Sequence, residues 1–218
     1  MINDSLTASP NSIRVTLRNL SINGAGTTLG LNGIRFLSGK SLLLENSSIQ
    51  NQSSSCLDVN PSLSSASTVN VTVRNTTMLR CGTNGINSTT AGDIVNTTID
   101  GSTIGQSTTG ITIAAGTVNI SNSVVTGNSS HGINVSTANG VANITNCQIT
   151  DNGTTGVQTQ VAGALARING NKVYRNGTGL QNNGTMETWR NNKVRGNGTN
   201  VAGAAVLTDI SAVGTGTA

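Results

Sequence analysis

Apolar residues in this chain do not recur at helical spacing. They alternate with polar ones in short runs, and clusters of Gly, Asn, Ser and Thr separate the runs. That pattern predicts short strands joined by turns. One frame repeats: an apolar residue, any residue, Asn, two further residues, an apolar residue. It reads LRNLSI (17–22), LENSSI (44–49), VRNTTM (73–78), IDGSTI (99–104), ISNSVV (120–125), ITNCQI (144–149), INGNKV (168–173) and WRNNKV (189–194), at successive spacings of 27, 29, 26, 21, 24, 24 and 21.

A second phrase follows the first in most units: GIRF (33–36), CLDV (56–59), GINS (85–88), GITI (110–113), GINV (132–135), GVQT (156–159) and GLQN (179–182). Two or three short strands per unit, turned by glycine, describe one coil of a β-solenoid. Such a coil cannot bury its own apolar face and has to stack on its neighbours, at the inter-strand distance of ~4.8 Å. The expected fold is therefore all-β: a single-stranded right-handed parallel β-helix of about eight coils. It should occupy residues 12–202, after a lead-in at 1–11 and before a tail or cap at 203–218.

Asn19, Asn46, Asn75, Asn122, Asn146 and Asn191 hold one place in six coils, and Gly101 and Gly170 hold it in the other two. Asn and Gly tolerate a left-handed turn at low cost, and stacked amides can bond up the file as an Asn ladder. In these coils the chain resembles the right-handed parallel β-helix proteins of the pectate-lyase-like superfamily, its uncharacterised bacterial members above all. The resemblance implies the fold and a secreted or cell-surface setting. Its activities range over polysaccharide lyases, glycoside hydrolases, tailspikes, adhesins and non-enzymes.

Composition narrows these choices. Aromatics make up 1% of the 218 residues and charged residues 9%, with a net charge of +4. Three scattered aromatics supply no stacking platform, so nucleic acid is not an expected partner. No apolar run approaches a membrane span, and no signal peptide is visible at Met1. Cys56, Cys81 and Cys147 fall in no metal-binding pattern, and their odd number argues against a disulfide framework. No cofactor or metal is implied.

Stacked coils allow outward residues to be read as columns. Arg18, Glu45, Arg74 and Asp100 alternate in sign and are continued by Ser121, Thr145, Asn169 and Arg190; Arg35 should meet Asp58, and Asp151 should meet Arg175. Asp4 and Asp209 lie in the terminal segments, leaving Asp93 and Glu187 as the acids without an evident partner inside the helix. They stand about four coils apart, roughly 19 Å, whereas glycosidic cleavage needs carboxyl groups within about 5–10 Å. The lyases of the superfamily use clustered acidic calcium ligands and an arginine base, and no such set maps onto this sequence. No catalytic residue is assigned, and a polysaccharide lyase or hydrolase is the runner-up.

The remaining features divide between scaffold and site. His131 reads as a solvated turn residue, Cys147 as core beside Ser47, Ser102 and Ser123, and GIRFLSGKS (33–41) as a turn, because its glycines lie too far apart for a phosphate loop. The NGT triplets at 152, 176, 183 and 197 read as accidents of composition. A file of Thr16, Leu43, Thr72, Thr98, Asn119, Asn143, Arg167 and Thr188 is too interrupted to favour the alternative of an ice-binding solenoid. Six of the twelve basic residues, however, fall between Arg167 and Arg195. Lys172 and Lys193 share an outward column, with Tyr174 and Arg195 two places on and Arg175 next to them. Like charges set opposite each other are unfavourable unless solvated or sharing an anion. The expected function is a non-catalytic scaffold or surface-binding module that takes an anionic glycan, a polysaccharide, at Lys172, Tyr174, Arg175, Lys193 and Arg195. Unpaired strand edges at the ends imply edge-mediated self-association or a longer parent chain.

Overall fold

The structure, a computed structural model, describes residues 1–61, 67–90 and 94–210. All of its regular elements are β-strands, paired in three parallel sheets. Sheet I has nine strands, from Arg14–Arg18 to Thr208–Asp209; sheet II has eight, from Ser21–Asn23 to Lys193–Val194; sheet III has eight, from Ile34–Phe36 to Thr199–Ala202. Neighbours within each sheet are every third strand of the chain, so the backbone passes through I, II and III in turn and completes eight coils.

The repeat seen in the sequence is the register of these coils. Leu17, Leu44, Val73, Ile99, Ile120, Ile144 and Ile168 stack in one inward file. Ile34, Leu57, Ile86, Ile111, Ile133, Val157, Leu180 and Val201 form another. Ile99, Ile104, Ile111, Ile133 and Val157 are fully buried, each contributing about 1.5–3 kcal/mol through removal from water. Phe36 is the aromatic side chain in this core.

The last coil departs from the expected register by one residue. Ile168 pairs with Thr188 rather than Trp189, whereas Lys172 still pairs with Lys193. The corner between them therefore holds one extra residue. Glu187 stands beside Arg167 and binds it at 2.6 Å, so Glu187 is not the unpartnered acid the sequence suggested. Arg190 leaves the charge column and pairs with Asp209. Thr188 is likewise displaced from the threonine file, where Glu187 takes its place.

Two corner files set the coil shape. Between sheets I and II, Asn19, Asn46, Asn75, Gly101, Asn122, Asn146 and Gly170 all take positive φ, from 47° to 66°. Asn191 does not join them, because the extra residue reshapes its turn; its Oδ1 instead accepts the Gly170 N–H at 2.9 Å. Between sheets II and III a second left-handed file runs through Asn51, Arg80, Gln106, Gly127, Asp151, Arg175 and Gly196.

In many coils the residue after the left-handed position turns inward, and its side chain accepts a backbone N–H of the coil before it. In the first corner this file is hydroxyl-rich: Ser102 Oγ accepts from Thr76 and Ser123 Oγ from Ser102, then Asn171 Oδ1 from Cys147 and Asn192 Oδ1 from Asn171. In the second corner it becomes a buried amide ladder. Asn128 Nδ2 donates to Asn152 Oδ1 (2.8 Å), Asn152 Nδ2 to Asn176 Oδ1 (2.9 Å) and Asn176 Nδ2 to Asn197 Oδ1 (2.9 Å). The asparagines of the NGT triplets at 152, 176 and 197 thus have a packing role, which the triplet at 183 does not share.

Cys56 and Cys81 form a disulfide with a Cα–Cα distance of 5.5 Å, leaving Cys147 free and buried. This corrects the expectation from cysteine parity. Cys81 occupies the ladder site of its coil, and Cys56 replaces the glycine of the G-I-x-x phrase in the coil before.

The ends are built into the solenoid. Ile2 bridges Phe36 at the edge of sheet III. Asp4, 2% exposed, accepts the amides of Asn11, Ser12 and Ile13 and closes the segment that follows it. Beyond residue 202, Thr208–Asp209 continues sheet I against Glu187 and Thr188, and Leu207 packs on the core. Asp93 and residues 211–218 lie outside the described residues.

Candidate functional site

The basic residues singled out in the sequence come together on sheet II at the C-terminal end. Lys172 and Lys193 are register partners and both exposed. Tyr174 follows on the first strand, and Arg195 lies beside it, its N–H bonded to the carbonyl of Val173 at 3.1 Å. Among the described residues no carboxylate pairs with Lys172, Lys193 or Arg195.

Arg175 plays a different part. Its guanidinium grips Asp151 with two bonds, Nε to Oδ1 at 2.7 Å and Nη2 to Oδ2 at 2.8 Å, while lying 4.7 Å from the Tyr174 ring centroid. Arg175 thereby holds the Asp151 carboxyl below the usual carboxylate range. With its charge matched, Arg175 positions Tyr174 and leaves the lysines and Arg195 as the free cations.

Two hollows flank the pair of lysines. One, of about 390 Å³, lies among Tyr174, Arg175, Arg195 and Gly196. The other, of about 380 Å³, runs from Asn122 and Asn146 to Gln148 and Lys172. Sheet II supplies both because its strands are only two or three residues long, so the corners on either side form their rims.

Apart from Asp151, the acids described lie elsewhere and are engaged. Arg18 binds Glu45 at 2.8 Å and Arg35 binds Asp58 at 3.0 Å. Asp100 accepts from Ser121 Oγ at 2.7 Å and Asn122 Nδ2 at 2.8 Å, which with Arg74 lowers its pKa. No three His, Cys, Asp or Glu side chains gather into a metal site among the described residues. No helix among them is long and apolar enough to cross a membrane.

Sheet III carries polar groups of which the sequence reading took up only Arg35, Asp58 and His131. Its outward file runs Arg35, Asp58, Asn87, Thr112, Asn134, Gln158 and Gln181. The residue three places before each of the last four is Thr109, His131, Thr155 or Thr178. His131 opens the strand His131–Val135 rather than lying in a turn, it is half-buried, and burial lowers its pKa. The x of the G-Φ-x-Φ phrase gave the outward file away; the burial of Asn134 and Gln158 within it is not legible from alternation.

A family model described as right handed beta helix region matches residues 84–216, more than half of the chain. Neither curated proteins nor solved structures show a significant match. With three parallel sheets wound through eight coils and that match over most of the lower six, the chain belongs to the right-handed β-helix family, consistent with the pectate-lyase-like superfamily that it resembles.

Proposed function

We propose that this chain is a non-catalytic β-helix module that binds an anionic glycan on the C-terminal end of sheet II. The observation that carries the reading is the register pair Lys172–Lys193, with Arg195 two residues on and no carboxylate partner for any of the three among the described residues. Adjacent strands put the two ammonium groups on rungs ~4.8 Å apart, where repulsion is relieved by an anion shared between them. Tyr174, steadied by Arg175, offers a ring face to the sugar beside the charged group. The non-catalytic half of the reading is supported by the acids: all seven described carboxylates are bonded to arginines, amides or hydroxyls.

The test is retention on immobilised polygalacturonate and on heparin. At low ionic strength the protein should be held, and it should elute as salt screens the contacts. The triple variant Lys172→Ala, Lys193→Ala, Arg195→Ala should pass through unretained. Flow-through of the unmodified protein at low salt would remove the anionic-glycan reading. Release of reducing or unsaturated ends from either polymer would replace the module with an enzyme.

A further inference from the structure

At the N-terminal end of the solenoid the core is open. Register places Val15, Leu17 and Ile22 over Leu42, Leu44 and Ile49. The lower three side chains are buried, whereas the upper three are only partly covered and Leu20 beside them is exposed. The lead-in closes a different part of this end: Ile2 bridges Phe36, the Asp4 N–H donates to Ser38 Oγ, and the Gly39 N–H donates to Asn11 Oδ1. Among the described residues no strand pairs with the outer edge of Arg14–Arg18 or of Ser21–Asn23.

Backbone polarity on the first of these edges follows from the bonds at its two ends. The Ile13 carbonyl accepts the Ser41 N–H, and the Asn19 N–H donates to the Glu45 carbonyl. In a parallel ladder alternate residues bond to one neighbour, so Ile13, Val15, Leu17 and Asn19 face the second coil. Arg14, Thr16 and Arg18 therefore turn their N–H and C=O groups to the open side. Their side chains point outward, and those of Val15 and Leu17 point inward. An added strand meets unpaired backbone at three residues, uncovered apolar side chains on one face and arginines on the other.

Charge selects the occupant. No carboxylate pairs with Arg14 among the described residues, and Arg18, although matched by Glu45, keeps 58% of its side chain exposed. Residues 1–40 carry Arg14, Arg18, Arg35 and Lys40 against Asp4. A second copy fits poorly. Two such edges paired antiparallel about Thr16 would oppose Arg14 to Arg18, and like charges so placed repel. End-to-end stacking would set this basic end against Arg190, Lys193 and Arg195 of the last coil. Arginines also guard an edge against pairing, but a guard leaves Val15, Leu17 and Ile22 uncovered. We infer that the outer edge of Arg14–Arg18 is a docking site for an extended acidic segment of a partner protein. That segment adds a strand to sheet I, laying apolar residues over Val15 and Leu17 and carboxylates beside Arg14 and Arg18. The site lies at the opposite end of the solenoid from the basic cluster on sheet II and does not rest on that reading.

The probe is the labelled peptide Ser-Glu-Val-Thr-Val-Glu-Ser, blocked at both ends, whose alternation reads the same in either direction. Fluorescence anisotropy with the whole chain should show saturable binding at low salt that weakens as salt rises. The same peptide with Lys in place of Glu should not bind. Arg14→Glu, at an exposed position, should weaken binding of the acidic peptide about tenfold by turning attraction into repulsion. Thr16→Pro should abolish it and keep the melting temperature of the parent, because the N–H it removes faces the open side. Should Thr16→Pro fail to fold, Arg14→Glu and hydrogen exchange decide. On binding, exchange should slow at the amides of Arg14, Thr16 and Arg18, those of Val15 and Leu17 being protected already. The triple lysine and arginine variant of sheet II should bind the peptide as the parent does. No binding at millimolar peptide would leave the arginines as edge guards and overturn the inference. Undiminished binding by Arg14→Glu would overturn it equally. A parent dimer in sedimentation that Thr16→Pro dissociates would give the edge to a second copy, with the same consequence.

Discussion

Gly132 leaves the space that Asn152 fills. A Cβ on Gly132 would lie 2.8 Å from Asn152 Nδ2 and 2.6 Å from the carbonyl oxygen of Gly156 in the next coil. The relation repeats down the solenoid: Gly110 faces Asn128, Gly156 faces Asn176, and Gly179 faces Asn197, at 2.7–3.0 Å. Glycine in the G-Φ-x-Φ phrase is thus the partner of a ladder asparagine one coil on. Gly132→Ala should destabilise by about 2–4 kcal/mol, through overpacking and displaced amides, read as a lower urea midpoint. Gly127→Ala, with φ +69° and nothing nearer than 3.7 Å, should cost only the left-handed backbone term of about 1–2 kcal/mol.

The two asparagine files should answer differently to mutation. Asn176 Oδ1 takes both the N–H and the Nδ2–H of Asn152, at 3.0 and 2.9 Å, and its own amide nitrogen reaches Asn197. Asn176→Ala strands these donors in the interior, at about 2–4 kcal/mol. Asn122 is exposed with φ 49°, and its Nδ2 bond to Asp100 is open to competition from water, so its value is chiefly conformational. Asn122→Gly should therefore be near neutral, while Asn122→Val should cost about 1–2 kcal/mol. Equal losses for Asn176→Ala and Asn122→Gly in denaturant titrations would contradict this division.

The disulfide is the covalent form of the same inter-coil relation. Cys56 holds a glycine site and Cys81 the ladder site one coil on, in place of a Gly–Asn contact. Reduction should lower stability by about 3 kcal/mol for a closed loop of this length. Peptide mapping without reductant should recover Cys56 joined to Cys81. Cys147, buried and with its thiol pushed up to about 11 by desolvation, should resist alkylation until the chain unfolds. Rapid labelling of Cys147 in the folded protein would count against its placement.

Much of this was open to reading from the chain. The inward file from Leu17 to Ile168 follows from alternation and spacing, and so do the pairs Arg18–Glu45, Arg35–Asp58 and Asp151–Arg175. The slip at Thr188 was hidden because the words NKV in 171–173 and 192–194 do align, which masks one added residue between Thr188 and Lys193. The ladder was hidden by degeneracy: Cys81, Ser107 and Asn128 hold one position with three chemistries, Cys81 through a disulfide and the other two by presenting an oxygen to a backbone N–H of the coil before. The disulfide was hidden because parity counts cysteines without regard to coil. The left-handed corner at Arg80 and Arg175 has no composition signal, since neither residue favours that backbone.

Asp4 gives the structure an acid-sensitive end. Burial by itself raises its pKa, but the amide of Ile13, the Ser38 hydroxyl and the amides of Asn11 and Ser12 outweigh burial and leave it below the ordinary 3.8. A carboxylate with a depressed folded-state pKa contributes stability in full above its unfolded value, and loses it as pH falls through the folded value. The segment from Asp4 to Ile13 should therefore hold unchanged from neutral pH down to about pH 4 and loosen below that. Hydrogen exchange resolved by residue should show the amides of Asn11, Ser12 and Ile13 losing protection in that window, before the core strands of the fifth and sixth coils do. Asp4→Asn removes the charge but keeps the shape. It should cost about 1–3 kcal/mol at neutral pH and abolish the acid-dependent loss at these three amides. Retention of that loss in Asp4→Asn would assign the acid response to another group.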